Sequence, residues 1–147
     1  MGLNQAFDIS ISGIEAARMK QEIIASNLAN IDTTRTLEGG PYRRRMAVVN
    51  EKQIDFNQIL AAEQRKLYGS KFPGGVEVSD IVEDTSPFQK VYKPGHPDAD
   101  ASGYVMLPNI SMSEEMVDLV YVSRLYEANI TAYNATKKMA QDTLQLP

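Results

Sequence analysis

Cysteine is absent from this 147-residue sequence, and histidine occurs once, at His96. The first absence excludes disulfides, thiol nucleophiles and zinc-thiolate sites, and leaves the redox compartment open because such a chain is at home anywhere. The second means that a Ser-His-Asp triad or a histidine metal site is built around His96 or not at all. No run approaches the roughly 18 apolar residues needed to span a bilayer. Residues 1–8 also lack a basic-then-apolar secretory pattern, so neither a membrane span nor a cleaved signal is expected. Met1-Gly2 does not make a myristoylation signal, because Ala6 stands where Ser or Thr is required. Excess positive charge is lacking too: 15 Lys and Arg against 19 Asp and Glu give a net charge of -4. That balance argues against nucleic acid as a partner.

What is present is one ordinary domain's worth of residues, 43% hydrophobic and 23% charged. Phe7, Ile11, Ile14, Ala17, Gln21, Ile24, Leu28 and Ile31 recur at steps of three or four and predict a helix over residues 3–31. It should end near Asn30, with Asp8 and Ser10 as capping candidates and Gly13 a tolerated weak point. At the other end, Met112, Met116, Leu119, Ser123, Tyr126, Ile130, Tyr133, Lys137, Ala140 and Leu144 alternate steps of four and three, a heptad seam. Ser113 as a capping hydroxyl followed by Glu114 and Glu115, with Lys137 and Lys138 near the far end, predicts a helix from Ser113 to about Leu144.

A helix of thirty residues is about 45 Å long, whereas a globule of this chain length is roughly 40 Å across. The economical arrangement is an antiparallel pair of terminal helices forming a coiled-coil-like rod, with the centre looped out as a lobe. Six of the seven prolines and seven of the nine glycines lie in that centre. Strand-like runs are expected at Tyr42 to Val49, Val76 to Val82, Phe88 to Tyr92 and Tyr104 to Leu107, with a short amphipathic helix from Ile54 to Leu67. The expected fold is α+β: residues 1–32 and 111–147 as an inner helical domain, and residues 33–110 as a small, irregular β-rich lobe. Inside the lobe, basic Arg43, Arg44, Arg45, Lys52, Arg65, Lys66 and Lys71 precede acidic Glu77, Asp80, Glu83, Asp84, Asp98 and Asp100. Such polarity suits head-to-tail stacking of copies, although solvated faces of a single lobe read the same way.

Few residues carry a signal for chemistry. His96, Asp98 and Asp100 together supply one imidazole and two carboxylates, a metal or water-activating set. The flanking prolines and the turn-forming habit of Asp give the plainer reading. Gly39-Gly40-Pro41-Tyr42-Arg43-Arg44-Arg45 lacks the Gly-Lys-Ser/Thr ending of a phosphate loop and precedes a strand, so it reads as a turn. In a strand Arg44 points opposite to Arg43 and Arg45, into the lobe or an interface; a solvated edge that discourages aggregation reads equally well. Asn129-Ile130-Thr131 and Asn134-Ala135-Thr136 match glycosylation sequons, yet both fall within the heptad helix. Tyr126 and Tyr133 sit at seam positions and read as packing, not as a cofactor platform. Asn27 and Asn30, on one side of the first helix, are either solvated caps or polar contacts that set helix register. No cofactor is implied.

Ala25-Ser26-Asn27-Leu28-Ala29-Asn30 followed by Thr33-Thr34-Arg35 resembles the N-terminal signature of the bacterial flagellar axial protein family. Tyr126-Glu127-Ala128-Asn129 followed by Asn134-Ala135-Thr136-Lys137 resembles the C-terminal one. Gly39-Gly40-Pro41-Tyr42-Arg43-Arg44 and the stretch from Tyr92 to Asp100, with Gly103-Tyr104-Val105 and Leu107-Pro108-Asn109, look like the proximal rod members of that family. The resemblance implies a structural subunit of the basal-body rod, a drive shaft across the periplasm, and not an enzyme. It implies export by the flagellar type III apparatus without a cleaved signal. Expected partners are copies of itself, other rod proteins, and ring and adaptor components of the basal body. The helical interface would then use Ile14, Ile24, Asn27, Leu28, Asn30, Met116, Leu119, Tyr126, Ile130, Tyr133 and Leu144. A soluble coiled-coil adaptor, or a metal-dependent enzyme using His96, Asp98 and Asp100, are the alternatives. Because each seam is only partly satisfied within one chain, ordering of the ends is expected to be completed by assembly.

Overall fold

Helix α1 runs over Leu3–Ala29 in the computed structural model, which describes residues 3–37, 39–52 and 74–145. It stops where Asn30 turns the chain: the Asn30 side chain donates to Ser26 O at 2.9 Å, and Thr33 N donates to Asn30 O at 3.1 Å. The C-terminal helix, α2, covers Met112–Leu144. Its cap position is Ser111, in extended backbone, and not Ser113, which lies inside the first turn with Glu114 and Glu115. The two helices pair antiparallel: Phe7 stacks edge-on against Tyr133, the Gln21 side chain donates to Ser123, and Asn27 meets Glu115. Ala17, Ile24 and Val122 form the buried centre of the pair, with Leu28, Leu119 and Tyr126 packed around it.

Between the helices lie two separate two-stranded antiparallel sheets, so the chain is α+β. Strand β1 (Arg45–Glu51) pairs with β2 (Val76–Glu83), from Arg45 opposite Glu83 to Glu51 opposite Val76, with a register shift between Val48 and Val49. Strand β3 (Gln89–Tyr92) pairs with β4 (Tyr104–Leu107) from Gln89 opposite Leu107 to Tyr92 opposite Tyr104. The expected helix from Ile54 to Leu67 lies outside the described residues.

Two local expectations change. The seam of α2 that faces α1 runs through Glu115, Leu119, Val122, Tyr126, Tyr133, Thr136 and Ala140, all buried or half-buried, whereas Met112, Met116, Lys137 and Leu144 are exposed. A straight helix drifts about 20° per heptad from a 3.5-residue repeat, and polar residues with partners can occupy the inner stripe. Gly13, in turn, is a point of close approach: a Cβ there would stand 2.9 Å from Asn129 Nδ2 on α2.

Gly75 ties the first sheet to α1. Its φ of +86° suits glycine, and a Cβ would overlap Ser12 Oγ, which accepts from Val76 N at 3.1 Å and donates to Ile9 O at 2.7 Å. Gly75→Ala is therefore expected to cost about 2–3 kcal/mol of stability in urea unfolding, the sum of left-handed strain and a displaced serine. A change below about 0.5 kcal/mol, the noise of ordinary surface sites, would contradict this attachment.

Candidate functional site

The polar residues of the helix pair converge where the lobe leaves it. Asn27, 1% exposed, uses every hydrogen-bonding position of its amide. Its Nδ2 donates to Arg45 O at 2.9 Å and to Glu115 Oε2 at 3.1 Å, while its Oδ1 accepts from Arg45 N at 3.0 Å and Tyr42 Oη at 3.2 Å. The side chain thus holds both backbone groups of Arg45, as a neighbouring strand would. Ahead of it, Tyr42 N donates to Thr33 O at 3.1 Å, so the chain joins its β2 partner only from Arg44, whose O accepts from Asp84 N at 2.8 Å.

Glu115, in the first turn of α2, is fully buried and accepts from Arg44 Nε at 2.5 Å as well as from Asn27. Arg44 also reaches Asp118 Oδ2 at 3.3 Å, and its backbone N–H donates to Asn109 Oδ1 at 2.9 Å. Burial opposes the Arg44 cation, but the hydrogen bond it donates to Glu115 and the charges of Glu115, Asp118 and Glu114 hold its pKa above the ordinary arginine value. Arg44 therefore stays charged wherever the chain is folded. Asn109 completes the joint from the far side of the lobe, donating to Asp84 O at 3.1 Å and Ser86 O at 3.4 Å.

Two of these groups are legible in the sequence: Asn27 as a polar contact between helices, and Arg44 as the inward arginine of an alternating strand. Tyr42 and Glu115 are not. Counting back four residues from Leu119 and seven from Val122 reaches Glu115, a signal that a search restricted to apolar positions passes over.

The other interface candidates separate into two groups. Ile24 is buried and Ile14, Leu28, Asn30, Leu119, Tyr126, Ile130 and Tyr133 are half-buried, while Met116 and Leu144 are exposed. Exposed apolar residues also form a stripe on the side of α2 turned away from α1. Val117, Val120 and Tyr121 are 68%, 62% and 64% exposed, and Met139 lies on the same side near the end of the helix. Exposed apolar side chains clustered on one side of a helix mark a contact surface.

The acidic cluster near His96 is used by its own loop and by a contact to the segment after α1. Asp98 N donates to His96 Nδ1 at 3.2 Å, and Asp98 Oδ2 accepts from Thr34 Oγ1 at 2.7 Å. Asp100 Oδ1 accepts from Ser102 N at 2.8 Å and Tyr104 N at 3.0 Å. Apart from the long-range bond to Thr34 these are turn contacts, the plainer of the two sequence readings. Opposite charges in the lobe are likewise partly used within the chain, with Arg45 Nη2 3.7 Å from Glu83 Oε1. An open hollow of about 420 Å³ beside the joint is lined by Arg44, Ser113, Glu114, Val117 and Asp118, a mostly charged set unlike the apolar walls of small-molecule sites.

Comparison with known proteins matches both ends of the chain. Residues 7–35 match the family described as "Flagella basal body rod protein", and residues 101–146 match "Flagellar basal body rod FlgEFG protein C-terminal". A Bacillus subtilis protein named "Flagellar basal-body rod protein FlgC" is 45% identical over 146 residues, covering 96% of this chain and 95% of the relative. Proteins of the same name from Borreliella burgdorferi and Escherichia coli O6:H1 are 36% and 40% identical, each covering 99% of this chain and 98% of the relative.

Proposed function

This chain belongs to the FlgC family of flagellar basal-body rod proteins, and we propose from that premise how its two helices build a shaft. It is a structural subunit of the basal body and not an enzyme, and it associates with other rod components. The adaptor and metal-enzyme alternatives are not favoured. The observation that carries the assembly reading is the apolar stripe of α2, exposed in the single chain although α1 already covers the opposite side.

In this reading residues 1–32 and 111–147 form the inner helical domain and pack as a coiled coil, with residues 33–110 as the outer lobe. Ile14, Ile24, Asn27, Leu28, Asn30, Leu119, Tyr126, Ile130 and Tyr133 close the pair, while Met116 and Leu144 extend its contacts to neighbours. Burying a large apolar side chain contributes about 1.5–3 kcal/mol, against about 1–2 kcal/mol for fixing each residue's backbone. A lone pair of helices with so small a buried centre is marginal, and each copy that docks adds apolar contact without ordering the pair anew. Repeated along the axis, these contacts make a drive shaft stiff enough to transmit torque across the periplasm. The chain reaches that shaft through the flagellar type III apparatus without a cleaved signal, and meets ring and adaptor components there.

Deleting Ala140 to Pro147 tests this. The truncated chain should keep its lobe folded, since the joint lies at the other end of α2, yet be missing from isolated basal bodies and leave cells immotile. Normal basal bodies and swimming would overturn the reading.

A further inference from the structure

At the joint, the residues that pair the helices also hold the lobe. Asn27 on α1 grips the Arg45 backbone at the start of β1 and, with the same amide nitrogen, donates to Glu115 on α2. Glu115 in turn holds Arg44, the neighbour of the gripped residue. The triangle Asn27, Glu115 and Arg44 therefore closes only when α1, α2 and β1 are all in place.

Its chemistry makes partial closure unfavourable. Glu115 is 0% exposed and accepts from both Arg44 and Asn27, so separation from either would leave a buried carboxyl group short of partners. The side-chain amide of Asn27 has no spare donor or acceptor with which to compensate. A purely apolar contact would tolerate sliding and rotation of the lobe, whereas directional hydrogen bonds from a planar guanidinium and a planar amide fix an angle.

We infer that Asn27, Arg44 and Glu115 form a latch that makes the orientation of the lobe conditional on pairing of the two helices. An unpaired chain keeps the first sheet on α1 through Ser12 and Val76 but leaves its Arg45 end loose; a paired chain holds that end at one set angle. The inference concerns a single chain and does not depend on whether that chain builds into a rod.

The test uses the full chain with the helices held together away from the joint. Gly13 and Asn129 face one another, about 20 Å along α1 from Asn27. Because the native sequence has no cysteine, Gly13→Cys with Asn129→Cys offers a single disulfide. In the oxidised chain, amide exchange at Arg45, whose N–H is held by Asn27, is compared with and without Glu115→Gln. The latch predicts exchange at Arg45 at least tenfold faster in the variant, with the β1–β2 ladder amides within about twofold of their original rates. Residual dipolar couplings of residues 42–47 should fit the alignment tensor of the helices in the parent and depart from it in the variant, while those of Val76, held by Ser12, stay with the helices. Unchanged protection at Arg45, or an equal loss throughout the β1–β2 ladder, would overturn the latch. If Glu115→Gln does not fold, Arg44→Lys keeps the charge but loses the fork, and the same outcomes decide.

Discussion

Asn27→Asp is expected to destabilise the chain by at least about 3 kcal/mol, more than Asn27→Ala, although aspartate is the closer match in shape. The substitution removes both donors of the amide, leaving Arg45 O and one oxygen of Glu115 without their partner. An unsatisfied buried polar group costs about 1–3 kcal/mol, and the new carboxylate also stands next to the fully buried Glu115. Two buried carboxylates in contact cannot both ionise cheaply. Alanine leaves the same groups short of partners but introduces no second charge. Urea unfolding at constant slope would measure the difference.

The pH dependence separates this account from a simple packing loss. A proton on the introduced carboxyl is favoured in the folded state, so its folded pKa is raised above the unfolded value. The penalty is then smallest below the unfolded pKa and grows as the pH rises through the folded one. Asn27→Ala should show no such trend relative to the parent. A variant Asn27→Asp that loses less than about 1 kcal/mol, the scale of a single average hydrogen bond, would contradict the description of the joint.

The same joint shows what sequence reading reaches and where it stops. Both terminal helices are legible because three- and four-residue spacing persists over many turns, and β4 falls at Tyr104–Leu107 as expected because Gly103 and Pro108 bracket it. Strand β1 starts three residues later than expected, since strand propensity says nothing of the contacts that hold Tyr42 to the end of α1, its N–H on Thr33 O and its hydroxyl on Asn27. Glu115 reads as a favourable charge at a helix N-terminus. That a half-buried arginine answers it from 71 residues away is a tertiary fact with no local trace. The hold of Ser12 on the start of β2 is hidden for the same reason: Gly75 reads as a turn glycine, and its contact with α1 is set by packing alone.

The outward side of α2 carries the largest effect on assembly. Val117→Asp combined with Val120→Asp should leave the isolated chain as stable as the parent within about 0.5 kcal/mol per site, because both side chains already face water. In cells the same chain should be absent from purified basal bodies, and swimming should be lost. Each aspartate forgoes about 1.5–3 kcal/mol of burial and would have to bring an unpaired charge into an apolar contact. In a polymer every subunit carries the defect, so it recurs at each contact along the shaft. The inward substitution Ile130→Asp cannot make this distinction, since Ile130 is half-buried on the side of α1 and its loss unsettles the pair and the assembly together. Val117→Thr with Val120→Thr, which keeps the shape without the charge, should restore part of the incorporation. Basal bodies that hold the aspartate variant at parental amounts would show that the exposed stripe is not where neighbouring subunits dock, and the assembly would have to proceed through the lobe instead.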